Sequence, residues 1–115
     1  MAQALSVPRA DWEGFFRRLG DSLVGKRAEV EVASLELGGQ IVAEWLPLLG
    51  ITYDGKNDLL DVGLQGMNHL IHHPREIVVD QDAGGLSSVA VVDAEERRQI
   101  IKLKDPVMLP PAVTT

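Results

Sequence analysis

Arg27-Ala28-Glu29-Val30-Glu31-Val32-Ala33 leads through Ser34-Leu35-Glu36-Leu37 to Gly38-Gly39 and then Gln40-Ile41-Val42-Ala43-Glu44-Trp45-Leu46. In the first run Ala28, Val30 and Val32 alternate with Glu29, Glu31 and Ala33. Successive side chains of a strand point to opposite faces, so a period of two puts the apolar set on one side of a sheet. The glycine pair tolerates positive φ, and the stretch reads as a hairpin with strands over 27–37 and 40–46. Pro47 has no amide hydrogen to give a ladder, so it ends or bends the second strand.

The pattern continues toward the C-terminus. Residues 48–53 resume as an extended segment, and Asp54-Gly55-Lys56-Asn57 is a turn. A strand over 59–64 carries Leu60, Val62 and Leu64 on one side. Residues 65–75 have no clear period and read as a loop, with a short strand at 69–72. Strand 76–81 points Ile77 and Val79 inward, and Asp82-Ala83-Gly84-Gly85 turns the chain. In strand 87–93 the run Val89-Ala90-Val91-Val92 predicts a central place covered on both faces. Asp93-Ala94-Glu95-Glu96 is a tight turn. The last strand, 99–104, turns Ile101 and Leu103 inward and Lys102 and Lys104 outward, a pattern that guards an exposed edge. Pro106, Pro110 and Pro111 make 105–115 an extended tail outside regular structure.

Toward the N-terminus the period becomes helical. Trp12, Phe15, Phe16 and Leu19 fall at i, i+3, i+4 and i+7, giving a helix over 9–19 with one apolar stripe. Pro8 suits its first turn and Gly20 its end. Three of the five aromatic side chains lie on that stripe, so it belongs to the core. The expected fold is α+β, mostly β: an N-terminal amphipathic helix packed on an antiparallel meander of six or seven strands, as a curled sheet or a small, partly open barrel. Residues 1–115 read as one domain, which suits the chain length.

Composition narrows the function classes. The chain has 17 acidic and 11 basic residues, a formal charge of −6 and no cysteine. Phosphate backbones are bound by clustered Lys and Arg, so nucleic acid is not an expected partner. Disulfides, thiol nucleophiles and cysteine-ligated metals are excluded. The N-terminal residues lack a charged start followed by an apolar run, and no apolar stretch approaches the ~20 residues of a membrane span. The expectation is a cytoplasmic protein without a membrane partner.

All three histidines, His69, His72 and His73, fall within five residues. Helical spacing would bring them to one face as metal ligands, but Pro74 disfavours a helix there and a strand would point His72 away from the others. They are the candidate metal ligands of the sequence. Asp80 and Asp82, and Asp93 with Glu95 and Glu96, sit in turns and read as turn formers. Ser87-Ser88 lacks a nucleophile elbow. Gly38-Gly39 and Gly84-Gly85 lack the helix and lysine of a phosphate loop. Trp45 and Tyr53 have no basic residues beside them to make a single-strand binding surface. No catalytic residue and no cofactor are expected.

Several segments together carry a resemblance: Val7-Pro8-Arg9-Ala10-Asp11-Trp12, Asp61-Val62 with His69, His73-Pro74-Arg75-Glu76-Ile77, Val92-Asp93-Ala94-Glu95, Gln99-Ile100-Ile101-Lys102-Leu103 and Leu109-Pro110. Over nearly the whole chain the sequence resembles a family of small prokaryotic proteins known as a domain of unknown function. The resemblance implies one domain and carries no activity. The functional expectation is a non-enzymatic binding module that forms a homodimer through the tail or through 45–51. The alternative is a small metal-dependent enzyme or metal carrier using His69, His72 and His73.

Overall fold

The computed structural model of the chain describes residues 3–36, 38–82 and 85–107. Eight strands and one helix follow in order: β1 (Gln3–Ser6), a 3₁₀ turn (Arg9–Asp11), α1 (Trp12–Leu23), β2 (Arg27–Ser34), β3 (Gly38–Asp54), β4 (Leu59–Leu64), β5 (Met67–His72), β6 (Pro74–Asp82), β7 (Gly85–Asp93) and β8 (Arg98–Val107). They form one antiparallel sheet in the order β1-β6-β7-β8-β2-β3-β4-β5. The end strands do not pair, so the sheet is not closed.

The fold class and its helix-on-sheet plan agree with the sequence reading; the strand count and connectivity differ. There are eight strands rather than six or seven. They are not one continuous meander. β2–β5 and β6–β8 are two meanders joined where β2 pairs with β8. The reason lies at His73, whose φ of 53° turns the chain out of β5 and directly into β6. Pro74 then falls opposite Asp93 at the end of β7. Because β8 lies between β2 and β7, Lys102 and Lys104 guard no edge. Lys102 instead reaches Glu29, its cross-strand partner, at 4.0 Å. β8 also runs on to Val107, opposite Leu86, so the first residues expected in the tail continue the sheet. The rest of that tail, 108–115, lies outside the described residues.

The hairpin turn falls at Leu35–Glu36, before the glycines, and Gly38 pairs with Ser34 at φ 69°. Pro47 bends the following strand without ending it: β3 is a single strand of 17 residues. Trp45, at φ 51°, takes up part of the bend in a conformation that side chains rarely adopt. Residues 65–75, expected as a loop with a short strand at 69–72, contain the longer β5, which begins two residues earlier at Met67. β1 had no sequence signal, because all four of its residues are exposed.

α1 runs on to Leu23, past the expected end at Leu19, because Leu23 extends the stripe. Trp12, Phe16, Leu19 and Leu23 are all buried, while Phe15 is only half-buried. Gly20 lies inside the helix; the chain leaves it through Gly25 at φ 86°. The Gly25 amide donates to the Leu48 carbonyl at 3.2 Å and the Leu48 amide to the Lys26 carbonyl at 2.6 Å, which moors the helix end to β3. At the other end the Trp12 ring meets Tyr53 edge-on, with centroids 5.1 Å apart, and its Nε1–H donates to the Val7 carbonyl at 2.7 Å. One buried cluster joins this stripe to alternate residues of the sheet, including Leu60, Val62, Leu64, Ile77, Val89, Val91 and Ile101. In β7, Val89 and Val91 are buried while Ala90 and Val92 are half-buried, so its outer face is only partly covered. No helix among the described residues is long and apolar enough to cross a membrane.

Phe16 is completely buried. Truncation to alanine removes its transfer free energy and leaves a cavity, so Phe16→Ala should cost about 3–5 kcal/mol in urea unfolding. A loss below 1 kcal/mol would mean that the helix does not seal this core.

Candidate functional site

The polar side chains gather in two networks, both built around strand ends. The first lies where the β3–β4 turn meets the β5–β6 corner. Asp58 and His73 both hold positive φ, 50° and 53°, and the His73 amide donates to the Asp58 carbonyl at 2.9 Å. The Asp58 carboxylate accepts from the Tyr53 hydroxyl at 2.7 Å and from Arg9 Nη1 at 3.1 Å, with His73 Nδ1 at 3.3 Å. Arg9 also donates to the Pro74 carbonyl at 2.7 Å, and its guanidinium lies 4.4 Å over the Trp12 ring. The Tyr53 hydrogen bond is the main reason the Asp58 carboxyl lies below its ordinary value. Burial, and then Asp58, push the Tyr53 hydroxyl upward. A tyrosine pushed toward its protonated form beside an ionised carboxylate is a poor base near neutral pH. The network instead ties the N-terminal segment to the corner.

The second network lies inside the curl. Asp93 and Gln99 are almost wholly buried. Asp93 accepts the Glu95 and Arg97 amides at 2.9 and 3.0 Å, the Arg97 Nε–H at 3.0 Å and the Gln99 Nε2–H at 2.8 Å. Since the Gln99 amide nitrogen faces Asp93, its Oε1 must accept, and His69 Nε2 donates to it at 2.5 Å. β5 and β8 are four places apart in the sheet order, so this contact shows how far the sheet curls. Burial alone would push the Asp93 carboxyl up. The hydrogen bonds from Arg97, Gln99 and Glu95 outweigh it and hold the group below its ordinary value. Among the described side chains no buried nitrogen or oxygen lacks a partner.

The three histidines are therefore placed apart. His69 faces inward to Gln99, His72 is exposed on the opposite face of β5, and His73 turns to Asp58. Among the described residues no three His, Asp or Glu side chains are grouped so as to hold a metal ion. The notable residues outside the histidine run are Arg9, Tyr53, Asp58 and Gln99. Only the sheet pairing brings them together, and no spacing in the sequence announces it.

What is left open is backbone. β2 covers the first half of β3 on one side, from Gly38 to Pro47, and β4 covers the second half on the other, from Leu48 to Asp54. Each half of β3 therefore has one edge without a strand partner among the described residues. Along the first half, Gly38–Val42 are five consecutive exposed residues, so the hairpin end stands clear of the core. Ile41 and Val42 are 50% and 40% exposed, and Leu35 at the tip is fully exposed.

The model of the family described as "Family of unknown function (DUF5335)" matches residues 3–112. The chain belongs to this family. A relative from Aquifex aeolicus (strain VF5), described as an uncharacterized protein, is 36% identical over 106 residues, which are 91% of this chain and 96% of that protein. No solved structure matches the chain. The match from residue 3 takes in β1 and Arg9 at one end and β8 at the other. Both networks thus lie within the family's span.

Asp93→Ala leaves four donors without their acceptor, one of them the buried Gln99 amide, and should cost about 2–3 kcal/mol in urea unfolding. The depressed carboxyl also sets a sign. Its contribution is present above the ordinary aspartate value of 3.8 and is lost as the pH falls through the lower folded value. Urea midpoints measured downward from pH 5 should therefore fall more steeply for the wild type than for Asp93→Ala. Parallel curves would refute the assignment.

Proposed function

We propose that the protein is a cytoplasmic, non-enzymatic interaction module whose first partner is a second copy of itself. The carrying observation is the bare edge of β3 between Gly38 and Glu44. A strand edge presents unpaired amides and carbonyls, and soluble proteins blunt such edges with lysine, proline or an inward charge. Here the only charged residue from Gly38 to Leu46 is Glu44. The other bare edges are less suited. β1 has four residues and β5 six, and β5 carries Asn68 and His72 on either side of the exposed Leu70 on its outer face.

Two such edges pair antiparallel about a twofold axis. In a register centred on Val42, Ile41 of one copy faces Ala43 of the other, and Glu44 faces Gln40. No like charges oppose one another, and the exposed Ile41 and Val42 are covered. Both polar networks support a binding role over catalysis, because the four donors on Asp93 and the three partners of Asp58 all serve to hold turns and corners.

Light scattering on the purified 12.5 kDa chain should give twice that mass. The double substitution Ile41→Lys, Val42→Lys should return it to a monomer that still unfolds cooperatively, since both positions are exposed in the single chain, and its melting temperature should lose the concentration dependence of the dimer. A wild type that stays monomeric at high concentration, or a double variant that stays dimeric, would overturn the reading.

A further inference from the structure

We propose that Trp45 of each copy seats over Gly39 of the other, with its indole N–H donating to the partner's Glu31 carboxylate. This rests on the pairing of two β3 edges and names the contact that fixes it. The register centred on Val42 sets Gly39 opposite Trp45, and the twofold axis makes the contact twice. A twofold axis normal to the sheet keeps outer face with outer face, so groups on that face of each copy meet on one side of the joined sheet.

Gly39 is the glycine that the single chain does not explain. The pair Gly38-Gly39 reads in the sequence as a turn, yet the chain turns before it, at Leu35–Glu36. Gly38 has a backbone reason to be glycine, its φ of 69°. Gly39 has no positive φ and lies within β3, opposite Ala33. A Cβ there would meet only the flexible end of Glu31, whose Oε2 lies 2.5 Å from its place. Glycine weakens a strand interior and commonly marks where another group approaches closely. Val30 is in the core, so Glu31 and Ala33 point outward, and Gly39 shares their face. The seat is therefore open to solvent, with a carboxylate at its rim.

Trp45 is the matching group. It is half-buried and stands outside the core cluster that Ala43 and Leu46 join. The register with β2 shifts between those two residues, so Glu44 and Trp45 share the place opposite Glu29 and both stand outward. Arg27 Nη1 donates to the Trp45 carbonyl at 3.0 Å, which fixes the bent backbone carrying the ring before any pairing. Opposed residues on paired strands lie about 5 Å apart at Cβ, and an aromatic ring laid over a glycine restores the packing that the glycine lacks. Neither the indole N–H nor the Glu31 carboxylate has a hydrogen-bond or ion-pair partner among the described residues. The first can only donate and the second can only accept.

Dimer dissociation constants of the full chain and its variants, from dilution followed by light scattering and tryptophan emission, test the contact. Trp12 is buried in either state, so a blue shift on association reports Trp45. Trp45→Phe keeps a ring and removes the N–H, and Glu31→Ala removes the acceptor. Each should weaken the dimer about tenfold, as loss of a hydrogen bond to a charged group does. The two together should weaken it no further than Trp45→Phe alone, because they break one interaction. Gly39→Val fills the seat and should give a monomer that melts no lower than Ile41→Lys, Val42→Lys, since valine suits a strand at an ordinary φ. Additive effects of Trp45→Phe and Glu31→Ala, or a dimer of unchanged affinity in Gly39→Val, would overturn the contact and leave the edge pairing standing. The coupling measurement decides the matter even where Gly39→Val lowers the melting temperature. A monomeric wild type would remove both.

Discussion

β3 has 17 residues, while β2 offers it eight and β4 offers it six. No neighbour can cover such a strand from end to end, so the two partners divide it on opposite sides. The division point is the bend at Trp45–Pro47. Proline supplies no donor to either ladder there, and Trp45 accepts a left-handed conformation to redirect the strand. Much of the fold follows from that bend. The first half of β3 extends the sheet of β6, β7, β8 and β2, and the second half opens the β4–β5 hairpin that curls over the core. The same division creates two bare edges, one on each side of one strand. The edge beside the helix carries a groove; the edge at the hairpin tip carries exposed isoleucine and valine.

A curled, unclosed sheet needs something to hold its two parts together. Apolar burial is non-directional and does not choose between related curvatures. The two polar networks supply direction. Gln99 can accept from His69 only while Asp93 holds its amide nitrogen, which fixes β5 relative to β8. Asp58 can hold Tyr53, Arg9 and His73 only when the β3–β4 turn, the N-terminal segment and the β5–β6 corner converge. A buried carboxylate is costly unless its hydrogen bonds are made. In Asp93 that cost is outweighed only in the native arrangement, so the same group penalises other arrangements. The left-handed backbone at Asp58 and His73 carries strain that is tolerated because the surroundings fix it.

The sequence was most legible where periodicity alone decides structure. Leu60, Val62 and Leu64, or Trp12, Phe16 and Leu19, show their buried face because every second residue, or every third and fourth, is apolar. It was least legible at the corners. Residues 65–75 read as a loop with only a short strand at 69–72 because His69, His72 and His73 obscure the alternation, although Met67, His69 and Ile71 do alternate inward. The proximity of the histidines in sequence suggested a shared site. A strand followed by a left-handed residue sends them in three directions. Arg9 and Asp58, 49 positions apart, gave no local signal of their pairing. Lys102 and Lys104 suggested an edge, because alternation reports which face is wet and not which strand lies alongside. The resemblance to an uncharacterised family was sound, and it carried no chemistry with it.

The engaged state of the polar groups bears directly on what kind of function this fold can support. A catalytic carboxylate or imidazole must have a face free for substrate and a proton to exchange. Asp93 has four donors upon it, and Asp58 has three partners. Among the described residues each half of β3 has one edge without a strand partner, and the first is bordered by the exposed Ile41 and Val42. Backbone edges bind through main-chain ladders and distinguish partners by the alternate side chains that flank them. Gly20 weakens α1 locally, while the buried stripe of Trp12, Phe16, Leu19 and Leu23 carries the stability of the helix.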